Sequence, residues 1–445
     1  MDSPTPSYKT NAGRIIRSSA WLSVYRILRM VIAFAVGIIV ARYLGPEDYG
    51  RLHYALASVL IFMGVAGPGI KDVITRRFDA NESETGSIIN AGMLLILISN
   101  LLMLSAALLM VITLRPGDEL ILMMAAVIGV GNLFRVLEIY ELWFHYKLEM
   151  GKTVLVQGLS FFLISAGKIG FVLLGMEVFW FAVLMGSELL LTGIGFIILI
   201  KIRPQGVLRI GERSISQLAV SIFRESIPSI AGVAFVLVLF KIDQVMLGWL
   251  SSDTEVGFYA VAVPFSEYWA FLAIAIVTSA YPALLEAFRK SDGSFDIYFK
   301  RTAGILGWLA IAIMIPVWFL GEWVILLFLG EVYAPSANIL SIHIWSLYFI
   351  FMIELMRKWY VIQKKLHLFL YISGLAALIN VLVNYALIPA MGGIGAAWAT
   401  IIAYSFAGYW GLLLFRDTRK KLIILPASFF TALSYLKIML TESRK

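Results

Sequence analysis

The chain has no cysteine, only four histidines and few charges, and each shortage removes a class of function. Without thiols there is no disulfide framework and no thiolate metal site, and four scattered histidines form no ligand constellation, so neither a metal nor a resident cofactor is expected. Charged residues make up 14% of the 445 positions against 60% hydrophobic ones, with a mean hydropathy of +0.88. Soluble domains carry roughly a quarter charged residues, so this composition excludes one and leaves an integral membrane protein. The net charge of +8 would suit nucleic acid, but it is spread over connections that face anionic headgroups, so membrane lipids are the expected partner and nucleic acid is not. No cleavable signal peptide is expected, because Met1–Lys9 is polar and the first apolar run is too long for an h-region.

Positive charge is also scarce on one side of the membrane. Reading apolar runs at about 20 residues each gives about 12 transmembrane helices. They fall near 18–42, 52–72, 88–114, 119–142, 153–175, 177–200, 222–250, 257–284, 302–322, 336–358, 368–389 and 394–415. Every second connection, with both ends of the chain, holds 27 of the 36 Lys and Arg, whereas the opposite set holds only Arg42, Arg51 and Arg115. Cations are retained on the cytoplasmic side, which places both termini in the cytoplasm and the chain in the cytoplasmic (inner) membrane. The expected division is a six-helix bundle over 1–202, a cytoplasmic linker over 203–221, a second six-helix bundle over 222–415 and a cytoplasmic tail over 416–445. Leu422–Leu440 reads as an interfacial helix in that tail, although it is long enough to span.

The two halves echo one another. Glu138, Trp143 and Phe144 at the end of helix four correspond to Glu354, Trp359 and Tyr360 at the end of helix ten. Gly50 and Tyr54 opening helix two correspond to Gly257 and Tyr259 opening helix eight. A duplication of six helices gives an all-α membrane fold of two pseudo-symmetric bundles around a central cavity, related by an axis along the membrane normal.

Several short motifs carry a resemblance. Arg42-Tyr43-Leu44-Gly45-Pro46-Glu47-Asp48-Tyr49-Gly50 stands at the outer end of helix one, and Lys241-Ile242-Asp243 with Gly257-Phe258-Tyr259-Ala260 around the entry to helix eight. Gly330-Glu331-Val332-Tyr333 follows helix nine, and Asn380, Asn384, Pro389 and Gly395-Ala396-Ala397 mark helices eleven and twelve. In this order the set resembles the polysaccharide transporter, or Wzx-type oligosaccharide flippase, family of the MATE-like multidrug and oligosaccharide flippase superfamily. The resemblance implies transport of a polyprenyl-diphosphate-linked oligosaccharide, such as an O-antigen or exopolysaccharide repeat unit, by alternating access. It also implies work alongside polysaccharide assembly enzymes, and the chain is expected to act as a monomer. His145-Tyr146-Lys147 departs from the family's glutamine-glycine turn after Trp143-Phe144, so contacts assigned to that turn do not carry over. The alternatives are an ion-coupled multidrug exporter of the same superfamily and a lipid II flippase, whose branch carries two more C-terminal helices.

A diphosphate crossing hydrocarbon needs fixed cations deep in the protein. Six cations lie inside the apolar runs: Arg26, Arg29, Arg135, Lys168, Arg224 and Lys241. Arg26 is nine residues past Arg17, roughly 14 Å along a helix at about 1.5 Å per residue, beyond easy snorkelling, and Arg29 is a turn deeper. Arg26, Arg29, Lys168, Arg224 and Arg135 are therefore the candidate cargo-binding residues, each weighed against structural pairing. Glu138 sits three residues after Arg135, the spacing of a helical ion pair, and Glu188 is a candidate partner for Lys168. Asp243, Glu188 and Glu267 are the acids that could couple transport to H⁺ or Na⁺. An enzyme is not expected, because the outer connections are short, the longest spanning about 15 residues around Gly321–Pro335, and offer no catalytic loop.

Overall fold

The structure, a computed structural model, describes residues 8–80, 85–147, 149–202, 214–290, 293–422, 424–425 and 428. In chain order the helices are α1 (Tyr8–Met63), α2 (Ala66–Ala80), α3 (Thr85–Leu114), α4 (Glu119–Leu133), a 3-10 stretch (Phe134–Glu138), α5 (Ile139–Tyr146), α6 (Met150–Leu173) and α7 (Val178–Ile202). There follow α8 (Ile215–Leu250), α9 (Asp253–Glu267), α10 (Ala270–Lys290), α11 (Ser294–Leu329), α12 (Ala334–His343), α13 (Ser346–Ile362) and α14 (Leu366–Gly408). No strand occurs among the described residues. That is what hydrocarbon demands, because a helix satisfies its backbone polar groups within itself.

Among the described residues nine helices are long and apolar enough to cross a membrane, and the pair Glu331–His343 and Ser346–Ile362, bent by 48°, makes a tenth. Two of these contain a turn. The backbone leaves helical geometry at Gly45 (φ 72°, ψ 171°) within α1 and at Gly392 (φ 54°, ψ −133°) within α14. Positive φ is costly for residues with a Cβ, and these two glycines let the chain kink within a single residue. Dividing at both turns raises ten segments to the twelve read from the sequence, and the all-α membrane architecture stands.

Contacts divide the chain into two compact units, one of Met1–Leu44 with Arg51–Leu237 and the other of Gly45–Gly50 with Val238–Lys445. Of the expected linker, residues 203–213 lie outside the described set, and 215–221 open α8. The expected tail helix at 422–440 lies outside it too, apart from Leu422, Ile424, Leu425 and Ser428.

In the first unit, α3 shows how these helices distribute their surfaces. Its buried residues Ile96, Asn100, Leu104, Ala107 and Val111 repeat at helical spacing, while Leu102, Leu109 and Ile112 are exposed. An exposed face this apolar is stable against lipid tails and not against water. The packed core joins Ile70, Val73, Ile74 and Phe78 of α2 to Ile88 and Ile89 of α3, Ile139 and Trp143 of α5, and Leu218 and Ile222 of α8. Phe78 meets Trp143 edge to face at 6.0 Å between centroids, a favoured quadrupole geometry. Helix two is interrupted at Gly64 and Val65 near Pro68, and then continues to Ala80, past the expected end at residue 72.

In the second unit, Ser252 caps α9 by accepting from the Glu255 amide at 3.2 Å. The Glu255 carboxylate accepts from the Gly393 amide at 2.7 Å, where the helix restarts after Gly392. Orphan amides at a helix start favour such an anionic acceptor.

Candidate functional site

The first unit gathers charge. Arg29 on α1 donates through Nη2 to Glu188 Oε1 on α7 at 2.7 Å, and its guanidinium lies 5.1 Å from the Phe161 ring centroid. Its Nη1 reaches the buried Tyr25 hydroxyl at 3.5 Å. Glu188 is the carboxylate that acts on Lys168 of α6, with Arg29 the opposing like charge, so two cations share one acid. The sequence pairs Glu188 with Lys168; the direct contact is with Arg29. Arg29 stays 44% exposed at its side chain, which leaves guanidinium surface available to a ligand.

A second group lies where the fourth span breaks. Arg135 and Glu138 sit in the 3-10 stretch and form the expected pair at 3.6 Å, but Lys71 of α2 makes the shorter bond to Glu138, at 2.9 Å. Lys71 stands at the end of the run expected for the second helix, and that helix continues to Ala80, so Lys71 lies within it. One turn on, His145 lies 3.4 Å from Glu141 and 3.3 Å from the Thr153 hydroxyl, with the charges of Arg26 and Lys71 also facing it. Arg26 itself is exposed. Arg26, Arg29, Lys71, Arg135 and Lys168 are five cations facing the three carboxylates Glu138, Glu141 and Glu188, an excess of two positive charges. Arg224 is not part of this group; it is exposed on the first half of α8 and lines a cleft with Ser216, Ser221 and Glu225.

The second unit holds one buried carboxylate among neutral donors. Asp243, 2% exposed on α8, accepts at Oδ2 from the Tyr259 hydroxyl at 2.8 Å and the Thr400 hydroxyl at 2.7 Å, and at Oδ1 from Asn384 Nδ2 at 2.5 Å. Asn384 Nδ2 also donates to Asn380 Oδ1 at 3.1 Å. No cation forms an ion pair with Asp243 among the described residues, and Asn384 Oδ1 and Asn380 Nδ2 are buried without partners. A carboxylate taken from water without a counter-ion is costly. Two hydroxyl donors and one amide N–H take the place of a counter-ion here. Among the described residues no three His, Cys, Asp or Glu side chains converge to hold a metal. Glu267 lies a step away, 3.5 Å from the Tyr404 hydroxyl.

The motif residues fit this unit. Gly50 packs against the Asp253 carbonyl and Gly257 against the Pro46 carbonyl, where a Cβ at either would overlap the backbone oxygen. The turn from Leu44 through Tyr49 is thereby pressed onto the start of α9, two residues before Tyr259. Tyr259, Asn380 and Asn384 are ligands of the Asp243 group. Thr400 was missed, although it lies one turn beyond the Gly395-Ala396-Ala397 motif on the same helix.

A family profile described as polysaccharide biosynthesis protein matches residues 15–288, more than half of the chain. One described as MatE matches residues 228–386. A search of curated proteins returns no match. Among solved structures, an inward-facing multidrug resistance MATE family transporter of the MOP superfamily aligns with a TM-score of 0.72 at 15% identity, covering 91% of this chain and 99% of that one. The lipid II flippase MurJ in an inward closed conformation aligns at 0.67 and 15% identity, covering 93% and 92%. A MOP superfamily transporter from Pyrococcus furiosus, described by the reversed polarity of its binding pocket, aligns at 0.63 and 16% identity, covering 93% and 96%. At these identities the structures attest the fold, and the profile attests the family. The chain is a multi-pass membrane protein of the polysaccharide biosynthesis family, with the fold of MOP superfamily transporters.

Proposed function

We propose that the chain flips a polyprenyl-diphosphate-linked oligosaccharide from the cytoplasmic to the outer leaflet of the cytoplasmic membrane, with both its termini in the cytoplasm. The observation that carries this reading is the five-cation, three-carboxylate group of the first unit. Its excess of positive charge, with Arg29 half exposed, suits an anionic headgroup and opposes a cationic drug. The family supports a glycan cargo. No covalent step is required: the Arg29 fork binds phosphoryl oxygens, and Glu188 keeps it paired when cargo has left. The Asp243 group supplies the driving ion, taking up H⁺ or Na⁺ in one state and releasing it in the other.

The experiment is transport in proteoliposomes of a fluorescent prenyl-diphosphate sugar and of an organic cation, with and without Na⁺ or pH gradients. Movement of the anionic lipid, lost in Arg29→Ala, is expected. Movement of the organic cation alone would favour the multidrug reading and overturn this one.

A further inference from the structure

Two helices of the first unit form a polar face that the charged group described above does not use. α2 turns Ile70, Val73, Ile74 and Phe78 into the core and leaves Asp72, Thr75 and Arg76 exposed. The first half of α8 buries Leu218, Ile222 and Ser226 and leaves Ser216, Ser221 and Arg224 exposed. Arg77 ties the two helices together, donating to the Ser221 hydroxyl at 2.6 Å and pairing with Glu225. The two partners of this tie, Ser221 and Glu225, line a cleft of about 510 Å³ with Ser216 and Arg224. A separate cleft of about 400 Å³ is lined by Asp72, Thr75, Arg76 and Ser229.

Each cleft offers a guanidinium with donors to spare. Arg224 makes no ion pair or hydrogen bond among the described residues, and Arg76 bonds only the Asp72 backbone carbonyl, through Nε at 3.4 Å. The Ser221 hydroxyl accepts from Arg77, so its own proton is free to donate outward. Each cleft holds one guanidinium and one carboxylate, and Arg77, which lines neither, engages Glu225 and so offsets the acid beside Arg224. Planar guanidinium forks beside hydroxyl donors match phosphoryl oxygens, and Arg76 and Arg224 each stand next in sequence to a partner of the tie, Arg77 and Glu225. Lys71, one turn before Thr75 on α2, then leads to Glu138 and Arg135.

We propose that Arg76 and Arg224 form a loading site that holds the diphosphate of a lipid-linked cargo at the cytoplasmic end of α2 and α8, before it passes to the Lys71, Arg135 and Arg29 group. The inference rests on the flippase reading and adds to it a first binding step at residues outside the inner group.

The test is equilibrium binding of farnesyl diphosphate to the full chain in zwitterionic nanodiscs, with inorganic pyrophosphate and phosphatidylglycerol as competitors. The R76Q/R224Q double variant is expected to weaken binding about tenfold or more, the worth of a charge-assisted hydrogen bond. The R76K/R224K variant keeps the charge without the fork and should fall between the two, which separates loss of the site from loss of the fold. Neither competitor should displace the probe at matched concentration. Undiminished binding by R76Q/R224Q, with binding lost in Arg29→Gln, overturns the loading site and leaves the flippase reading standing. Displacement by phosphatidylglycerol or by pyrophosphate alone overturns the commitment to a lipid-linked diphosphate. Absence of any binding to the wild-type chain overturns both readings.

Discussion

The two units handle buried charge in opposite ways. In the first, Arg29, Lys168, Lys71 and Arg135 share Glu188 and Glu138, so each of these two carboxylates has more than one cation in reach and the ion pairs can be exchanged. In the second, Asp243 is 2% exposed and is held by hydroxyls and an amide that carry no charge. An exchangeable network lets a large anion compete for cations at small cost, because partly exposed ion pairs are individually weak. A sealed carboxylate discriminates among small ions, because anything larger than a proton or a bare cation would have to open the packing. On the proposed function, the first arrangement is the one for cargo and the second the one for a coupling ion.

The largest expected effect breaks the first half of that comparison. Arg29→Ala should abolish surface polysaccharide while leaving membrane protein levels unchanged, since a pair 44% exposed on the arginine side contributes about 1 kcal/mol or less to stability. Immunoblotting beside glycan staining checks both. Should this variant also lose its response to a Na⁺ or pH gradient, the division of labour between the units fails.

Asp243→Asn should do the converse. It keeps the side-chain shape and partners for Tyr259 and Thr400 but removes the charge, so transport should persist at a low rate without dependence on either gradient. Asp243→Ala goes further, removing the acceptor that Tyr259, Thr400 and Asn384 share, and should cost about 1–3 kcal/mol of stability, read as earlier thermal unfolding in detergent.

A smaller effect sharpens the picture of the exchangeable network. Lys71→Met and Glu138→Gln should each reduce transport, while the charge swap K71E/E138K should recover part of it, because the 2.9 Å pair is re-formed in reverse. No recovery would mean that Lys71 acts on cargo and not on Glu138. The smallest effect is structural: Glu255→Gln weakens the anionic cap on Gly393 and should cost about 0.5–1 kcal/mol with transport retained.

Much of the fold was legible because a membrane writes its thickness into the sequence as run length. The two turns at Gly45 and Gly392 were readable from the same pattern, since each falls between apolar runs too long to be one crossing. The Arg135–Glu138 pair followed from helical spacing, whereas its stronger partner, Lys71, did not. That lysine lies close in sequence to Arg76 and Arg77 and reads as part of a cytoplasmic connection until the second helix is seen to continue to Ala80. The Asp243 group was half visible. Asn380 and Asn384, four apart on one helix, are a local signal, but Thr400 and Tyr259 meet Asp243 only through packing of three helices, with 157 residues between Asp243 and Thr400. Hydropathy reports depth and says little about which helix is the neighbour.

The kink at Gly45 has an immunological corollary. A linear epitope needs several consecutive accessible residues, and the turn at Gly45 is moreover pressed by its neighbours Pro46 and Gly50 onto α9. Antibodies raised against a peptide running through Tyr49 and Gly50, which are buried, should therefore recognise denatured chain on a blot better than folded chain, and an affinity tag inserted there should disturb folding.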